Sequence, residues 1–148
     1  MLVTGFPAGA FQTNCWLVAT APGSEALVVD PGQDALDGIA PLADGQVVEL
    51  AGLRLVVDHT PGHTPGHVTF RSEAGGGEPG RLLAGDLVFA GSIGRTDLPG
   101  GDTGQMLASL AARFLPLPDD TVVLPGHGPT TTVGRERATN PFLQGIRA

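Results

Sequence analysis

The sequence predicts one strand-rich domain of the α/β class, in its α+β form, and three observations lead to this prediction. The chain has 148 residues, of which 41% are hydrophobic, so it can bury one core and is unlike a disordered chain. Seven short apolar runs are bounded by Gly, Pro or Asp, which is the pattern of β-strands. Only one segment combines helical periodicity with clear start and stop signals. We therefore expect a single domain over residues 1–148.

The predicted strands alternate with short turns along the chain. They lie at residues 15–19, 25–29, 46–50, 53–57, 67–70, 81–84 and 121–124. Residues 49–54 have the pattern of a tight hairpin. Residues 73–80, with four glycines and a proline, predict a loose loop between two further strands. Both connections favour antiparallel pairing.

One helix is predicted over residues 106–115, where apolar side chains recur at helical spacing. Asp102, followed by Gln105 three residues later, has the pattern of a capping box at its start. Pro116 ends this helix, because proline cannot continue the hydrogen-bond ladder. A second helix starts near residues 34–37, but a glycine and a proline end it within about two turns.

The charge balance excludes several classes of partner. The net charge is −7, with eight basic against 15 acidic residues, so we expect neither nucleic acid nor an anionic membrane as a partner. No apolar run approaches the roughly 20 residues of a membrane span. The first residues carry no positive side chain, so we expect no signal peptide and a cytoplasmic location. Cys15 lies in an apolar segment, which predicts a buried structural thiol.

Histidine and aspartate side chains follow three of the predicted strands. Three of the four histidines lie within residues 59–67, just after the strand at 53–57. Asp86 and His127 each come shortly after a further strand and directly after a glycine. Side chains at the ends of buried strands are held by a rigid scaffold, so two imidazoles and a carboxylate could converge here.

His63, Asp86 and His127 form the predicted metal-ligand set. Neutral imidazole nitrogen and carboxylate oxygen both bind zinc at about 2 Å, and iron and manganese accept the same ligands. His59 and His67 are expected instead to support the site by hydrogen bonds.

Other catalytic motifs are absent from the sequence. It has neither a Gly-X-Ser-X-Gly nucleophile elbow nor a His-Glu-X-X-His zinc helix. The glycine-containing loop at residues 91–96 lacks the Gly-Lys-Ser/Thr ending of a phosphate loop. We expect Arg95 to pair with Asp97 within that loop.

Several segments resemble, in order and in residue type, the metallo-β-lactamase-fold superfamily, and most of all its small glyoxalase II-like hydrolases. The segments that carry this resemblance are residues 60–67, 84–89, 91–97 and 124–128. Residues 11–16 and 28–32 are similar to the opening strands of that branch, and residues 134–137 and 140–142 to its ending.

The resemblance implies an αβ/βα sandwich with one or two metal ions, usually zinc, and a metal-activated hydroxide that attacks a thioester or ester. It implies that His63 binds the first metal, that Asp86 bridges the two metals, and that His127 binds the second. It also implies that Asp30 lies beside the metal site without binding the metal.

One part of the family pattern is missing. The His-X-His-X-Asp-His signature is absent, and all four histidines are accounted for elsewhere. The sequence passes from residues 30–36, similar to the start of the family's first long helix, into residues 42–47, similar to a segment much further on. We therefore predict an internal deletion near residues 38–42, about the size of a supersecondary unit.

This deletion would remove most metal ligands, so weak zinc binding and strongly impaired hydrolysis are expected. One alternative is a single zinc ion on the three remaining ligands, with Asp58 or His59 contributing. The other is a non-catalytic remnant or binding domain, produced by an internal deletion or a faulty gene model. Loss of covering helices would also expose apolar surface on the strands at 15–19 and 25–29, which predicts self-association.

Overall fold

Two β-sheets that pack face to face make up most of the structure, a computed structural model that describes residues 1–8, 12–29 and 42–146. The strands are β1 (Leu2–Ala8), β2 (Thr13–Ala19), β3 (Ala26–Val29), β4 (Val47–Leu50), β5 (Leu53–His59), β6 (Val68–Ser72), β7 (Arg81–Gly85), β8 (Val88–Phe89), β9 (Ser92–Ile93), β10 (Val122–Pro125) and β11 (Thr131–Thr132). The helices are α1 (Thr103–Ser109), which continues into a π-helical turn (Leu110–Phe114), and α2 (Val133–Thr139).

The smaller sheet is antiparallel with the order β1-β2-β3, and the larger has the order β11-β10-β7-β6-β5-β4. In the larger sheet β7 and β10 pair in parallel, and the other neighbours are antiparallel. Because β5 and β7 both run antiparallel to β6, the strands β5, β7 and β10 all end at the same edge of this sheet. This edge is where the candidate site lies.

All seven predicted strands are present, and their ends differ from the predicted ones by at most two residues. The sequence did not predict β1, which contains Gly5 and Pro7. Both residues disfavour strands, but β1 is an edge strand, where proline is tolerated. Glycine is required opposite Trp16, because a Cβ on Gly5 would overlap the Trp16 ring.

The predicted helix is confirmed, although its second half is a π-helical turn. Asp102 accepts a hydrogen bond from the Gln105 backbone N–H at 2.9 Å, as the capping pattern predicts. The Leu115 N–H donates to the Leu110 carbonyl at 2.9 Å, which closes the π-helical turn. The second predicted helix, near residues 34–37, lies outside the described residues.

Two apolar clusters cover the two faces of the larger sheet. One lies between the sheets and contains Trp16, Val18, Val29, Leu53, Leu55, Leu83 and Leu124. The other lies between the larger sheet and the helices and contains Leu82, Ala84, Leu87, Val88, Met106, Leu110, Phe114, Leu115, Val123, Val133 and Leu143. Because both faces are buried, the central strands are continuous apolar runs rather than alternating ones.

A buried carboxylate, Glu136 on α2, connects three segments of the chain. It accepts hydrogen bonds from the Gly91 backbone N–H at 2.7 Å, from Thr131 Oγ1 at 2.5 Å and from Asn140 Nδ2 at 3.0 Å. Asn140 also donates to the Ser92 carbonyl at 2.9 Å. Helix α2, which the sequence did not predict as a helix, therefore fastens the β8–β9 hairpin.

The outward face of the smaller sheet exposes apolar side chains, as expected, and they come from the predicted strand β3 and from β1, which the sequence did not predict. Leu2 and Phe6 on β1 and Val28 on β3 are 48%, 47% and 47% exposed. The register places all three on the face opposite Trp16. On β2, by contrast, Cys15 is buried, so that strand contributes less exposed surface than the sequence led us to expect.

The described residues include no helix long and apolar enough to cross a membrane.

We expect the apolar face to cause weak self-association, which the double variant Leu2→Thr, Phe6→Thr should reduce. Threonine keeps a high strand propensity while it removes exposed apolar area. Sedimentation velocity over a concentration series measures the effect. Leu107→Gln, at a 38% exposed position on α1, is the control and should leave association unchanged. A wild-type protein that is monomeric at every concentration would contradict this prediction.

Glu136→Ala should lower the free energy of unfolding by about 3 kcal/mol or more, because three donors lose a buried acceptor. Urea denaturation measures the change. Arg135→Ala on the same helix removes an exposed side chain and should change stability by no more than about 0.5 kcal/mol. Equal effects of the two substitutions would show that the buried network contributes little.

Candidate metal centre

The loops after β5, β7 and β10 bring His63, Asp86 and His127 together. His63 Nε2 lies 3.3 Å from Asp86 Oδ2, and His127 Nε2 lies 3.7 Å from the same oxygen. This convergence follows from the strand directions, because the three strands end at one sheet edge. The role of these side chains as metal ligands stays a prediction.

A backbone carbonyl fixes the orientation of the His63 ring. His63 Nδ1 lies 2.8 Å from the Arg95 carbonyl oxygen. Because a carbonyl can only accept, Nδ1 carries the proton, and Nε2 is the ring nitrogen on the side of Asp86. His63 is therefore held with Nε2, the nitrogen that would bind a metal ion, toward the candidate site.

The Arg95 side chain is occupied within its own loop, as the sequence predicts. Its guanidinium forms two hydrogen bonds to Asp97, at 2.7 and 2.8 Å. The hydrogen bond from Arg95 lowers the pKa of Asp97 to about 2. The backbone of Arg95 thus serves the site while its side chain points to a different partner.

His67 holds the backbone of Asp86 by a hydrogen bond. Its Nε2 accepts a hydrogen bond from the Asp86 backbone N–H at 3.0 Å, so its Nδ1 carries the proton and donates to Thr60 Oγ1 at 2.8 Å. Burial lowers the pKa of His67, and the Asp86 carboxylate opposes this in part. Gly85 has a φ of +47° and lies against the His67 ring, where a Cβ would be too close.

Asp86 has a buried oxygen that lacks a partner. Its Oδ1 is buried and accepts no hydrogen bond from any described residue. A buried carboxylate oxygen without a donor is costly, and a cation satisfies it. The separations of 3.3 and 3.7 Å around Oδ2 are close to the edge of about 3.4 Å of a tetrahedron with bonds near 2.1 Å. Two of the separations are thus compatible with a shared ion, and the ligand set itself stays a prediction.

The ligand set is not preformed. Within residues 1–8, 12–29 and 42–146, no group of three or more His, Cys, Asp or Glu side chains is already arranged to hold a metal ion. The wider separation, from His127 to Asp86, shows where adjustment is needed, because a bound ion would have to draw that imidazole inward.

Two further candidates make other contacts. Asp58 is buried and its Oδ2 accepts a hydrogen bond from Arg71 Nε at 2.7 Å. His59 donates from Nε2 to the Pro65 carbonyl at 2.8 Å. These contacts give no support to a contribution from either residue to a metal ion. Asp30 lies outside the described residues.

Phe89 is a neighbour of the site that the sequence analysis did not single out. Its ring meets the His127 ring edge to face, with centroids 5.7 Å apart. It lies at the end of β8, the strand whose hairpin is fastened by Glu136 and Asn140. In the sequence, only the resemblance of residues 84–89 to a family pattern indicated this region. A single phenylalanine has no sequence pattern that predicts a contact with a histidine.

Comparison with known proteins identifies relatives over most of the chain. Residues 33–127 match the profile of the Metallo-beta-lactamase superfamily. The uncharacterized protein Rv2581c of Mycobacterium tuberculosis is 32% identical over 222 aligned positions, covering 99% of each chain. The hydroxyacylglutathione hydrolase GloC of Haemophilus influenzae is 42% identical over 100 residues, which are 68% of this chain and 45% of GloC.

Solved structures share the fold. BLEG-1 B3 metallo-beta-lactamase has a TM-score of 0.82 at 29% identity, covering 97% of this chain and 100% of that one. TTHA1623, solved in a di-iron-bound form, has a TM-score of 0.77 at 30% identity, covering 95% of this chain and 100% of that one. The sheet-rich α+β architecture with few helices, predicted from the strand pattern, agrees with these neighbours.

Gly126→Ala should lower the free energy of unfolding by about 1–3 kcal/mol, because the loop must move to make room. The added Cβ would overlap Asp86 Oδ1 and lie 3.0 Å from the Gly85 backbone. Gly66→Ala is the matched control, since a Cβ at Gly66 meets nothing within 4 Å. It should leave stability unchanged or raise it by up to about 1 kcal/mol. Equal urea midpoints for the two variants would contradict the close packing around Asp86.

Proposed function

Because this chain belongs to the metallo-β-lactamase superfamily, we propose that it is a glyoxalase II-like metallohydrolase with weak metal binding and strongly impaired hydrolysis. Its reaction class is the metal-assisted hydrolysis of a thioester or ester. The number of metal ligands at the sheet edge is the observation that supports the impairment.

The number of histidines limits how many imidazole ligands the chain can offer to a metal ion. The sequence has four, and all lie in the described residues. His59 contacts the Pro65 carbonyl, and His67 is hydrogen bonded to the Asp86 backbone and to a threonine. Only two imidazoles remain for a metal ion, together with the Asp86 carboxylate. A catalytic zinc ion typically needs three protein ligands, so one ion would use both imidazoles and the Asp86 carboxylate.

The proposed holders of this ion are His63, Asp86 and His127. A bound metal ion would supply the Lewis acidity that makes water a nucleophile at neutral pH. His63 is oriented for such binding by the Arg95 carbonyl, and His67 keeps the Asp86 backbone in place. Zinc, iron and manganese all accept two imidazoles and a carboxylate. We propose zinc, with iron as the alternative that the di-iron form of TTHA1623 suggests.

The proposed substrate class follows from the relatives. GloC is named a hydroxyacylglutathione hydrolase, and this chain spans 45% of its length. We therefore propose a small thioester or ester as substrate, with the thiol carrier open. We also propose a cytoplasmic location, which agrees with a single, buried cysteine.

The impairment has a proposed origin in an internal deletion near residues 38–42. The alignment with Rv2581c has 222 positions and covers 99% of each chain, whereas this chain has 148 residues. Such an alignment must contain internal positions without a counterpart here. The second candidate function is a non-catalytic remnant or binding domain. The small number of metal ligands supports it as well as it supports an impaired hydrolase.

Zinc titration by calorimetry, followed by a thioester hydrolysis assay, tests this proposal. We expect weak binding of at most one ion per chain and negligible turnover of a glutathione thioester. His63→Ala, Asp86→Asn and His127→Ala should each weaken binding by about 10-fold or more, by analogy with losses at supporting positions.

Arg135→Ala, at an exposed position on α2, is the control and should bind zinc as the wild type does. Two tightly bound ions with thioester turnover would contradict the impairment and indicate an intact hydrolase. No binding by the wild type at any concentration would favour the remnant. An unchanged affinity in the three ligand variants would place the ion elsewhere.

A further inference from the structure

Asn14, on β2 of the smaller sheet, binds the loop that carries His127 and that follows β10 of the larger sheet. The loop is residues 125–128. The Asn14 backbone N–H donates to the Gly126 carbonyl at 2.6 Å. Its side-chain Nδ2 donates to the Pro125 and Gly128 carbonyls, each at 3.0 Å. One residue thus contacts the carbonyl oxygens on both sides of His127.

Trp16, two residues further along β2, adds a buried hydrogen bond to the same loop. Its indole Nε1–H donates to the Pro125 carbonyl at 3.1 Å. On the other side of the loop, the Gly126 N–H donates to the Gly85 carbonyl at 2.8 Å. The loop is therefore held between β2 of the smaller sheet and the end of β7, next to Asp86.

The two imidazoles of the candidate site differ in how they are oriented. The His63 ring is fixed by its own hydrogen bond to the Arg95 carbonyl. The His127 ring has no such hydrogen bond to the described residues. It lies edge to face with Phe89 and 3.7 Å from the Asp86 carboxylate, and its side chain is 37% exposed. The position of His127 therefore depends on its backbone.

We propose that Asn14 is a positioning residue for His127, with Trp16 as its partner in this role. The donors of Asn14 fix the backbone on both sides of His127, and this places the imidazole opposite Asp86. The importance for metal binding rests on the proposed function above. The positioning itself does not, because it concerns contacts within the metal-free chain.

The first test measures loop order without metal. Asn14→Asp has nearly the same size, but its carboxylate cannot donate to the two carbonyls and repels them. We expect ¹⁵N relaxation to show lower order parameters at Gly126, His127 and Gly128, with Val123 in the middle of β10 unchanged. Asn14→Ala removes the side-chain donors without adding charge, so it should lower the same order parameters by a smaller amount.

Thr132→Ala is the matched control for a general loss of stability. Thr132 caps α2 by accepting from the Arg135 N–H at 3.3 Å, and its loss should leave the order of the loop unchanged. If both Asn14 variants leave the loop as ordered as in the wild type, the positioning role is wrong. If Thr132→Ala loosens the loop equally, the effect of Asn14 is merely structural.

The second test is a double-mutant cycle on zinc affinity. Asn14→Asp should weaken binding by about 10-fold. In that background His127→Ala should cost much less than in the wild type, whereas His63→Ala should cost the same in both. If Asn14→Asp is non-additive with His63→Ala to the same extent as with His127→Ala, Asn14 has no specific role in positioning His127. If the wild type binds no zinc, the proposed function fails, and the relaxation measurements still decide the role of Asn14.

Discussion

The carboxylate of Asp86 is the group on which the rest of the site depends. It stands at the end of β7 with one buried oxygen that lacks a donor and one oxygen that faces two imidazoles. A carboxylate in this environment is expensive unless positive charge compensates it. In a chain with a net charge of −7, compensation has to be local. The proposed metal ion between Asp86 and the two imidazoles would supply it.

The segments that carry the site are held by hydrogen bonds from both sheets and from helix α2. His67, at the start of β6, holds the Asp86 backbone. Asn14 reaches from the smaller sheet to the loop that carries His127, and Glu136 on α2 fastens the hairpin next to Phe89. The sheet edge is thus the point at which both sheets and a helix meet. Each of these layers therefore contacts the site or a segment beside it.

The sequence predicted the strands and the convergence of His63, Asp86 and His127 because both depend on short patterns. An apolar run followed by glycine and a polar ligand marks the end of a buried strand, as at Gly85 and Asp86. The supporting contacts have no such pattern. Asn14 and Pro125 are far apart in the chain, and a buried Glu136 looks like a solvated helix residue until its three donors are seen. Which ring nitrogen of a histidine carries a proton also cannot be predicted from the sequence, because it depends on the partner atom, as the Arg95 carbonyl shows for His63 Nδ1.

The core of this protein and the proposed metal binding depend on different residues, so the fold does not require an intact metal site. The core lies between the two sheets and between the larger sheet and the helices, and its members are aliphatic and aromatic side chains. None of the proposed ligands belongs to either cluster. The proposed loss of a ligand-bearing segment is compatible with the central packing of the larger sheet, and the fold is shared with solved relatives. On this proposal, the number of donors that remain around Asp86 determines whether the chain can act as a hydrolase.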